Sequence, residues 1–262
     1  MKAKAPIPAG RTAAIRRVHR LAALAGVVAC AGCHGERVTA PKLETPRECV
    51  VLLHGLWRSE RSLAGLGKHL EREGFEVVSH GYDSAGASIA EHARELAARL
   101  PELVPAAAPR IHFVTHSLGG IVVRQLLDDR PVERLGRVVM LAPPNRGSEL
   151  ADALRDNRLF RALLGPTLAE LGTGESDPPR TLGPVTFECG VIAGDFNFLG
   201  GLAFDGPNDG RVSVESTKVE GMTDFLVVHH GHATLMNAGD VKRQVVHFLR
   251  HGRFEHSRGK DP

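Results

Sequence analysis

Short apolar runs alternate with amphipathic segments along most of the chain. Apolar runs of strand length occur at residues 49–53, 75–78, 111–114, 137–142, 185–193 and 225–228, and Val212 and Val214 alternate with polar residues like a further strand. Between these runs, apolar residues recur at helical spacing around residues 63–70, 88–100, 118–126 and 241–249. The alternation predicts an α/β fold, with a mostly parallel sheet covered by helices on both faces.

Local signals set the expected ends of several helices. Gly74 is placed as a C-cap, and Pro101 is expected to stop the helix that begins at Ser88. Ser148 is a candidate N-cap that follows a proline pair at the end of a strand. The polar tail from Arg250 is expected to fray.

The chain has 262 residues, of which 42% are hydrophobic, enough for one domain with a sizeable core. We expect the folded domain to span residues 48–250, preceded by a polar linker at 34–47 and followed by a flexible tail at 251–262. Residues 145–183 are less regular and rich in Gly, Pro and Thr towards their end, and they are interpreted as a small cap.

The first 33 residues have the pattern of an export signal. The first 35 residues contain no acid, and a basic stretch precedes the apolar run 21–29, which is too short to span a bilayer as a helix. Cys30 and Cys33 each end a sequence that resembles a bacterial lipobox, so either is a candidate for lipidation. We therefore expect export to the bacterial cell envelope with membrane attachment through the N-terminus; the alternatives are ordinary cleavage near Ala29–Ala31, an uncleaved anchor, or a cytoplasmic protein with a misassigned start.

The overall charge reflects this leader. The chain carries 33 basic and 30 acidic residues, a net charge of +3. Six of the basic residues precede Cys30, which leaves 27 basic against 30 acidic residues and a net charge of −3. No basic stripe interleaved with aromatic residues remains, so no nucleic-acid partner is expected.

Two further cysteines, Cys49 and Cys189, lie in predicted strands. Their spacing matches no zinc pattern, and we interpret them as small buried residues, with a disulfide between them as the alternative. No cofactor fingerprint or metal-binding cluster is recognised, so neither a cofactor nor a metal is expected. The sequence leaves the oligomeric state open.

A serine sits where a predicted strand meets a predicted helix. Ser117 lies in V-T-H-S-L-G-G, which follows the nucleophile-elbow pattern G-x-S-x-G except that Thr115 replaces the first glycine. The elbow presents the hydroxyl at the sheet edge, next to unpaired N–H groups at the start of the helix. The alternative is an ordinary glycine-containing turn. If the elbow forms, the N–H groups of Leu56, in the earlier H-G-L-W segment, and Leu118 are the candidate oxyanion donors.

A serine nucleophile needs a base, and the base needs an acid to orient it. Asp209 lies in P-N-D-G-R-V-S-V, after a predicted strand, and the competing interpretation is a simple Asp-Gly turn. His232 precedes the last helix, with His229 and His230 as rivals for the same role. Asp205 and Glu215 are rivals for the acid. His116 is set aside because neighbouring side chains in an elbow point apart.

Five segments, H-G-L-W, V-T-H-S-L-G-G, L-A-P-P-N-R-G-S-E, N-D-G-R-V and H-A-T-L-M, occur in an order and spacing that resemble the lipase and esterase branch of the α/β-hydrolase superfamily. The resemblance covers residues 48–250. It implies the chain order serine, acid, histidine, and so a triad of Ser117, Asp209 and His232. His232 is favoured over its rivals because related lipases place their histidine just before a small residue and an apolar helix start.

The resemblance implies a serine hydrolase that cleaves carboxylic esters through an acyl-enzyme, with a small acyl ester or lipid as its substrate. The alternatives are another acyl-transfer activity (thioesterase, amidase or acyltransferase) and a catalytically silent binding lipoprotein. Leu150, Leu154, Phe160 and Leu163 of the expected cap, together with Trp57, are candidate walls of an acyl pocket, with plain cap core as their alternative role.

Overall fold

Parallel strands form the centre of the protein. The computed structural model describes residues 45–155, 165–197 and 206–256. In these ranges the strands are β1 (Cys49–Leu53), β2 (Glu76–His80), β3 (Ile111–His116), β4 (Leu135–Leu141), β5 (Cys189–Gly194) and β6 (Asp224–Val228). They form one sheet in the order β2-β1-β3-β4-β5-β6, and every neighbouring pair is parallel. The expected α/β fold with a parallel sheet is confirmed.

Helices connect these strands. In the described residues the α-helices are α1 (Ala64–Arg72), α2 (Ile89–Leu103), α3 (Leu118–Asp129), α4 (Glu149–Arg155), α5 (Pro166–Ala169), α6 (Pro178–Thr181), α7 (Val214–Thr217) and α8 (Gly239–His251). Short 3₁₀ turns occupy Glu60–Leu63 and Leu235–Asn237. Ser88 caps α2 through a capping box with Glu91, which explains why that helix begins where the sequence indicates.

The sheet has an apolar core on each face. Alternate strand residues point to opposite sides, so Val51 and Phe113 pack with α2 and α3, whereas Leu52 and Val114 pack on the other face with α1 and α8. Both faces of the sheet are therefore buried, which is why the strands are nearly continuous apolar runs rather than alternating ones.

Pro101 does not stop its helix as expected. The helix α2 continues to Leu103, and the backbone N–H of Val104 still donates to the carbonyl of Leu100 at 3.0 Å. Pro101 lies in the last turn, where few residues remain to be distorted, so the missing N–H costs only one hydrogen bond at the helix end.

The late strand expected at Val212 and Val214 is also wrong. Val212 lies in a loop, and Val214 begins the short helix α7. Ser213 supplies the reason, because its Oγ accepts a hydrogen bond from the N–H of Ser216 and so caps a helical turn. An isolated antiparallel bridge between Asn208 and Ser213 is the remaining β-type pairing there. The strand expected at 185–193 likewise begins later, at Cys189.

Arg250 does not mark a frayed end. It lies inside α8, and its Nη2 donates to the carbonyl and to Oε2 of Glu73. The helix ends at His251, and Gly252 adopts the left-handed conformation of a C-cap. Phe254 is buried and stacks against Phe248, so the chain stays packed for several residues beyond the helix.

The two cysteines of the body are separate buried thiols. Cys49 begins β1 and Cys189 begins β5, and both are free. Two strands lie between them in the sheet, which implies a separation of roughly 14 Å, about twice the largest Cα distance that a disulfide bridges. The interpretation as buried residues is confirmed, and the disulfide is not formed.

Several predictions concern residues outside the described ranges. The leader with Cys30 and Cys33, most of the linker at 34–47, and Phe160 and Leu163 are in this group. Within the described residues, no helix combines the length and apolar character needed to cross a membrane. The boundaries given for the cap and for the leader therefore stay predictions.

Candidate active site

The expected site residues meet at the carboxyl ends of the parallel strands. From β1 the chain first adds β2 on one side and then β3 on the other, so the strand order reverses between β1 and β3. A crevice at such a reversal is where open α/β sheets bind ligands. Gly55 follows β1 and Ser117 follows β3, so both flank this crevice.

Ser117 has the backbone of a nucleophile elbow. Its φ and ψ are 54° and −124°, a strained conformation for a residue with a side chain, and α3 begins at the next residue, Leu118. The N–H of Ser117 donates to the carbonyl of Leu141 at the end of β4, which holds the turn against the neighbouring strand. The prediction of a strand, a sharp turn and a helix around Ser117 is confirmed.

Thr115 fits in place of the usual first glycine because of its neighbours. Its side chain is fully buried, and its Oγ1 lies 3.4 Å from the position that a Cβ on Gly120 would occupy. A Cβ on Gly119 would lie 2.8 Å from the carbonyl oxygen of Leu53, so α3 packs directly on the end of β1. The two glycines after the serine therefore give the room that the elbow needs.

The loop after β1 approaches Ser117 closely. A Cβ on Gly55 would lie 2.9 Å from Cβ of Ser117 and 3.0 Å from Nδ1 of His116, so only glycine fits without a shift. This approach brings the following residue, Leu56, to the cavity beside Ser117. Leu118 is the first residue of α3, where a backbone N–H has no partner within the helix.

Two residues that the sequence analysis did not select hold this loop. The hydroxyl of Tyr82 donates to the carbonyl of His54 at 2.8 Å, and the N–H of Trp57 donates to Oγ of Ser84 at 3.0 Å. The ring of Tyr82 also stacks on that of His54. Tyr82 and Ser84 follow β2, and no sequence motif relates them to the loop that contains His54 and Trp57.

Asp209 and His232 are hydrogen-bonded. The Nδ1 of His232 lies 2.7 Å from Oδ2 of Asp209, and both side chains are almost completely buried. Oδ1 of Asp209 accepts the N–H groups of Arg211 and Val212, and the backbone N–H of His232 donates to the carbonyl of Asp209. The carboxylate is thus fixed by its own loop, and the ring of His232 is held with Nδ1 facing the acid and Nε2 facing away.

The rival histidines and acids lie elsewhere. His229 is exposed and pairs with Asp195, whereas His230 pairs with Asp240. Glu215 is exposed and pairs with Arg146 and Lys218. Asp205 lies outside the described residues. Of the three candidate histidines, His232 alone lines the cavity that contains Ser117.

His116 was set aside by the sequence analysis, but it contacts the loop of His232. Its Nε2 donates to the backbone carbonyl of His232 at 3.0 Å, and the two ring centroids are 4.7 Å apart. Complete burial and the neighbouring His232 lower the pKa of His116 well below its usual value, so this ring is neutral. His116 therefore joins the elbow to the histidine loop without adding charge.

Side chains around Ser117 and His232 form a cavity with two distinct surfaces. Its floor consists of His116, Ser117 and His232, and Gly55 packs directly against Ser117. Its apolar wall consists of Leu150, Ala151, Leu154, Leu168 and Leu171, which come from α4, α5 and the turn after α5. Leu150 and Leu154 are thus placed where an acyl-pocket wall was expected, and Trp57 is 45% exposed at the edge of the same cavity.

Within the described residues, no group of three or more His, Cys, Asp or Glu side chains is arranged to hold a metal ion. The described cavity brings together a serine on an elbow, a histidine oriented by a buried carboxylate, and backbone N–H groups beside the serine.

Solved structures share this fold. The mature lipase BlEst2 of Bacillus licheniformis is 20% identical, with a TM-score of 0.58 over 78% of this chain and 91% of that one. Staphylococcus hyicus lipase is 13% identical, with a TM-score of 0.57 over 74% and 90% of the two chains. The phospholipase PlaB from Legionella pneumophila is 21% identical, with a TM-score of 0.54, and the match covers 66% of this chain but 45% of PlaB.

The chain therefore has the fold of these structures, and the expected α/β-hydrolase fold is confirmed. No curated protein sequence matches the chain. A family model described as a domain of unknown function, DUF7379, matches residues 36–179, which is more than half of the chain, and the chain belongs to that family.

Proposed function

We propose that the protein is a serine hydrolase that cleaves carboxylic esters through a triad of Ser117, His232 and Asp209. The observation that carries the proposal is the buried hydrogen bond of 2.7 Å between His232 and Asp209, beside a cavity that also contains the strained elbow of Ser117. A serine hydroxyl is a weak nucleophile at neutral pH, and this arrangement supplies both its base and the group that orients the base.

The reaction proceeds in two halves. Oγ of Ser117 attacks the ester carbonyl carbon while Nε2 of His232 takes the hydroxyl proton, and Asp209 stabilises the imidazolium that forms. The N–H groups of Leu56 and Leu118 hold the negative oxygen of the tetrahedral intermediate. The carbon–oxygen bond to the alcohol then breaks, and His232 gives its proton to the departing alcohol.

Water completes the second half. His232 removes a proton from a water molecule, which attacks the acyl-serine, and the collapse of the second tetrahedral intermediate releases the carboxylic acid and restores the Ser117 hydroxyl. The overall change is one ester and one water converted to one acid and one alcohol. The structural neighbours are two lipases and a phospholipase, which supports an ester as the substrate class.

The proposal is tested with Ser117→Ala, assayed against p-nitrophenyl butyrate. We expect a loss of kcat on the order of 10⁴- to 10⁶-fold, because the nucleophile is removed. Ser62→Ala is the matched control, since the Ser62 hydroxyl bonds only the nearby carbonyl of Ser59 outside the cavity, and it should retain wild-type activity.

Undiminished hydrolysis by Ser117→Ala would remove the serine from the mechanism. A fluorophosphonate probe should label wild-type protein and Ser62→Ala but not Ser117→Ala. Folded wild-type protein that resists labelling and hydrolyses no ester would instead favour a binding role. Thioester and amide substrates with the same acyl group are assayed in parallel. Their rates, compared with that of the ester, show which acyl-transfer activity the triad favours.

We also propose that the protein is exported and lipidated at Cys30 or Cys33. The basic stretch, the apolar run and the two lipobox-like cysteines all precede residue 36, where the family match begins. Palmitate labelling of full-length protein in a bacterial host should be lost in one of the variants Cys30→Ala and Cys33→Ala. Labelling that neither variant alters, or none in the wild type, would contradict lipidation.

A further inference from the structure

Two arginines line the cavity beside the proposed nucleophile. Arg58 follows Trp57 in the loop after β1, and Arg211 follows the Asp209-Gly210 turn. Among residues 45–155, 165–197 and 206–256, neither guanidinium forms an ion pair or a hydrogen bond. The described part of the cavity lining contains no carboxylate side chain either.

Three other arginines have partners for their guanidinium groups. Arg137 pairs with Glu188 and Arg250 pairs with Glu73. The buried guanidinium of Arg124 donates to backbone carbonyls and to the Asn145 amide oxygen. Arg58 is half-buried and has no such partner in the described residues. Its guanidinium is therefore available to pair with an anionic ligand.

The positive charges of Arg58 and Arg211 act on a buried side chain of the cavity, His116. Burial and His232 are the main causes of the low pKa of His116, and Arg58 and Arg211 lower it further. The oxygens of Asp209 bind His232 and two backbone N–H groups, so this carboxylate is paired with neither guanidinium. The cavity lining therefore combines an apolar wall with two cationic side chains.

We propose that Arg58 and Arg211 form an anion subsite, and that the preferred substrates are acyl esters that carry a phosphate or carboxylate near the scissile bond. This inference rests on the proposed function. The acyl chain lies along the apolar wall of Leu150, Leu154 and Leu168, while the guanidinium groups bind the anionic group by paired, charge-assisted hydrogen bonds. Hydrolysis then releases the fatty acid and the alcohol by the steps already described.

Binding is measured apart from catalysis in the Ser117→Ala variant. Trp57 is the single tryptophan of the chain and lines the cavity, so its fluorescence reports occupancy. We expect octyl phosphate to bind about tenfold more tightly than uncharged octyl glucoside at low ionic strength, and added salt to reduce the difference. The same titration with an alkyl carboxylate of similar chain length distinguishes a phosphate site from a general anion site.

The double substitution Arg58→Gln and Arg211→Gln should abolish this preference, whereas Arg94→Gln, an exposed arginine on α2 outside the cavity, should retain it. In active protein, the ratio of kcat/KM for octanoyl glycerol phosphate to that for monooctanoylglycerol should fall about tenfold in the double variant, mainly through KM. Equal binding of octyl phosphate and octyl glucoside overturns the subsite even if neutral esters are hydrolysed. Preferential octyl phosphate binding without any esterase activity would instead leave the subsite standing and refute the proposed function.

Discussion

The floor and the apolar wall of the cavity are built by different means. The floor is fixed by backbone: Gly55 touches Ser117, the N–H of Ser117 bonds β4, and the loop of His232 bonds both Asp209 and His116. The wall is formed by side chains from α4, which has seven residues, and α5, which has four. A change in the floor therefore moves the reacting atoms, whereas a change in the wall alters mainly what fits above them.

The largest contrast is expected between two neighbouring histidines. His232→Asn should lower kcat on the order of 10⁴-fold or more, because the base is lost while the loop stays in place. His230→Asn should change kcat less than about threefold, since His230 pairs with Asp240 away from the cavity. Esterase kinetics on the two purified variants check this, and a reversed order of effects would transfer the role of base to His230.

A single methyl group in the floor should have the next largest effect. Gly55→Ala places a Cβ 2.9 Å from that of Ser117, so either the serine or the loop that carries Leu56 must shift. We expect kcat to fall about 100-fold, since misplacement of reacting groups by an ångström has that order of cost. Gly239→Ala is the control, because its Cβ would meet Arg243 Nη1 at an ordinary 3.7 Å. Equal kcat in the two variants would show that the loop adjusts freely.

Acid should lower the free energy of unfolding through four buried histidines, His116 of the floor among them. Burial lowers the pKa of His54, His80, His92 and His116, so each binds a proton more readily in the unfolded chain than in the folded one. Their stabilising contribution is therefore complete above the unfolded pKa near 6.5 and is lost as the pH falls below it. Each histidine that stays neutral contributes up to about 1.4 kcal/mol per pH unit to the fall in unfolding free energy.

Denaturant titrations between neutral and mildly acidic pH measure this fall. His80→Gln removes one titrating ring and should reduce the slope. A free energy of unfolding that is flat with pH below neutrality would show that these rings are protonated in the folded protein.

The smallest effect is expected from the wall. Leu154→Phe narrows the cavity above Ser117, and the ratio of kcat/KM for octanoate to butyrate esters should fall by roughly fivefold. Leu127→Ala is a control of similar apolar character, since Leu127 packs at the other side of α3 and does not line this cavity. If both variants leave the chain-length ratio unchanged, the acyl group does not contact Leu154.

The same contrast explains how far the sequence was informative. Ser117, Asp209 and His232 stand in segments whose backbone geometry is local, so strand, turn and helix patterns predicted the turn at Ser117 and the loops that hold the other two residues. Long-range contacts carry no such pattern: Tyr82 and Ser84 support the loop of His54 to Trp57 from the loop after β2. The direct bond of His116 to the carbonyl of His232 joins residues 116 positions apart, and nothing in either segment indicates it.

Short helices were also difficult to predict. Val212 and Val214 were interpreted as a strand because they alternate with polar residues, yet a side-chain cap from Ser213 makes Val214–Thr217 a helix of four residues. The apolar residues of the wall have the same composition as core residues, so the sequence did not separate the two roles for Leu150 and Leu154. Only their position around the cavity does.

The burial of Cys49 and Cys189 has a consequence for the reactivity of their thiols. Burial raises the pKa of Cys49 to about 11 and that of Cys189 to about 12, so neither is a thiolate at physiological pH. Without a thiolate and without access, neither sulfur attacks oxidants or foreign disulfides while the sheet is intact. These two residues thereby become a sensor of unfolding: alkylating reagents should reach them only when the strands come apart.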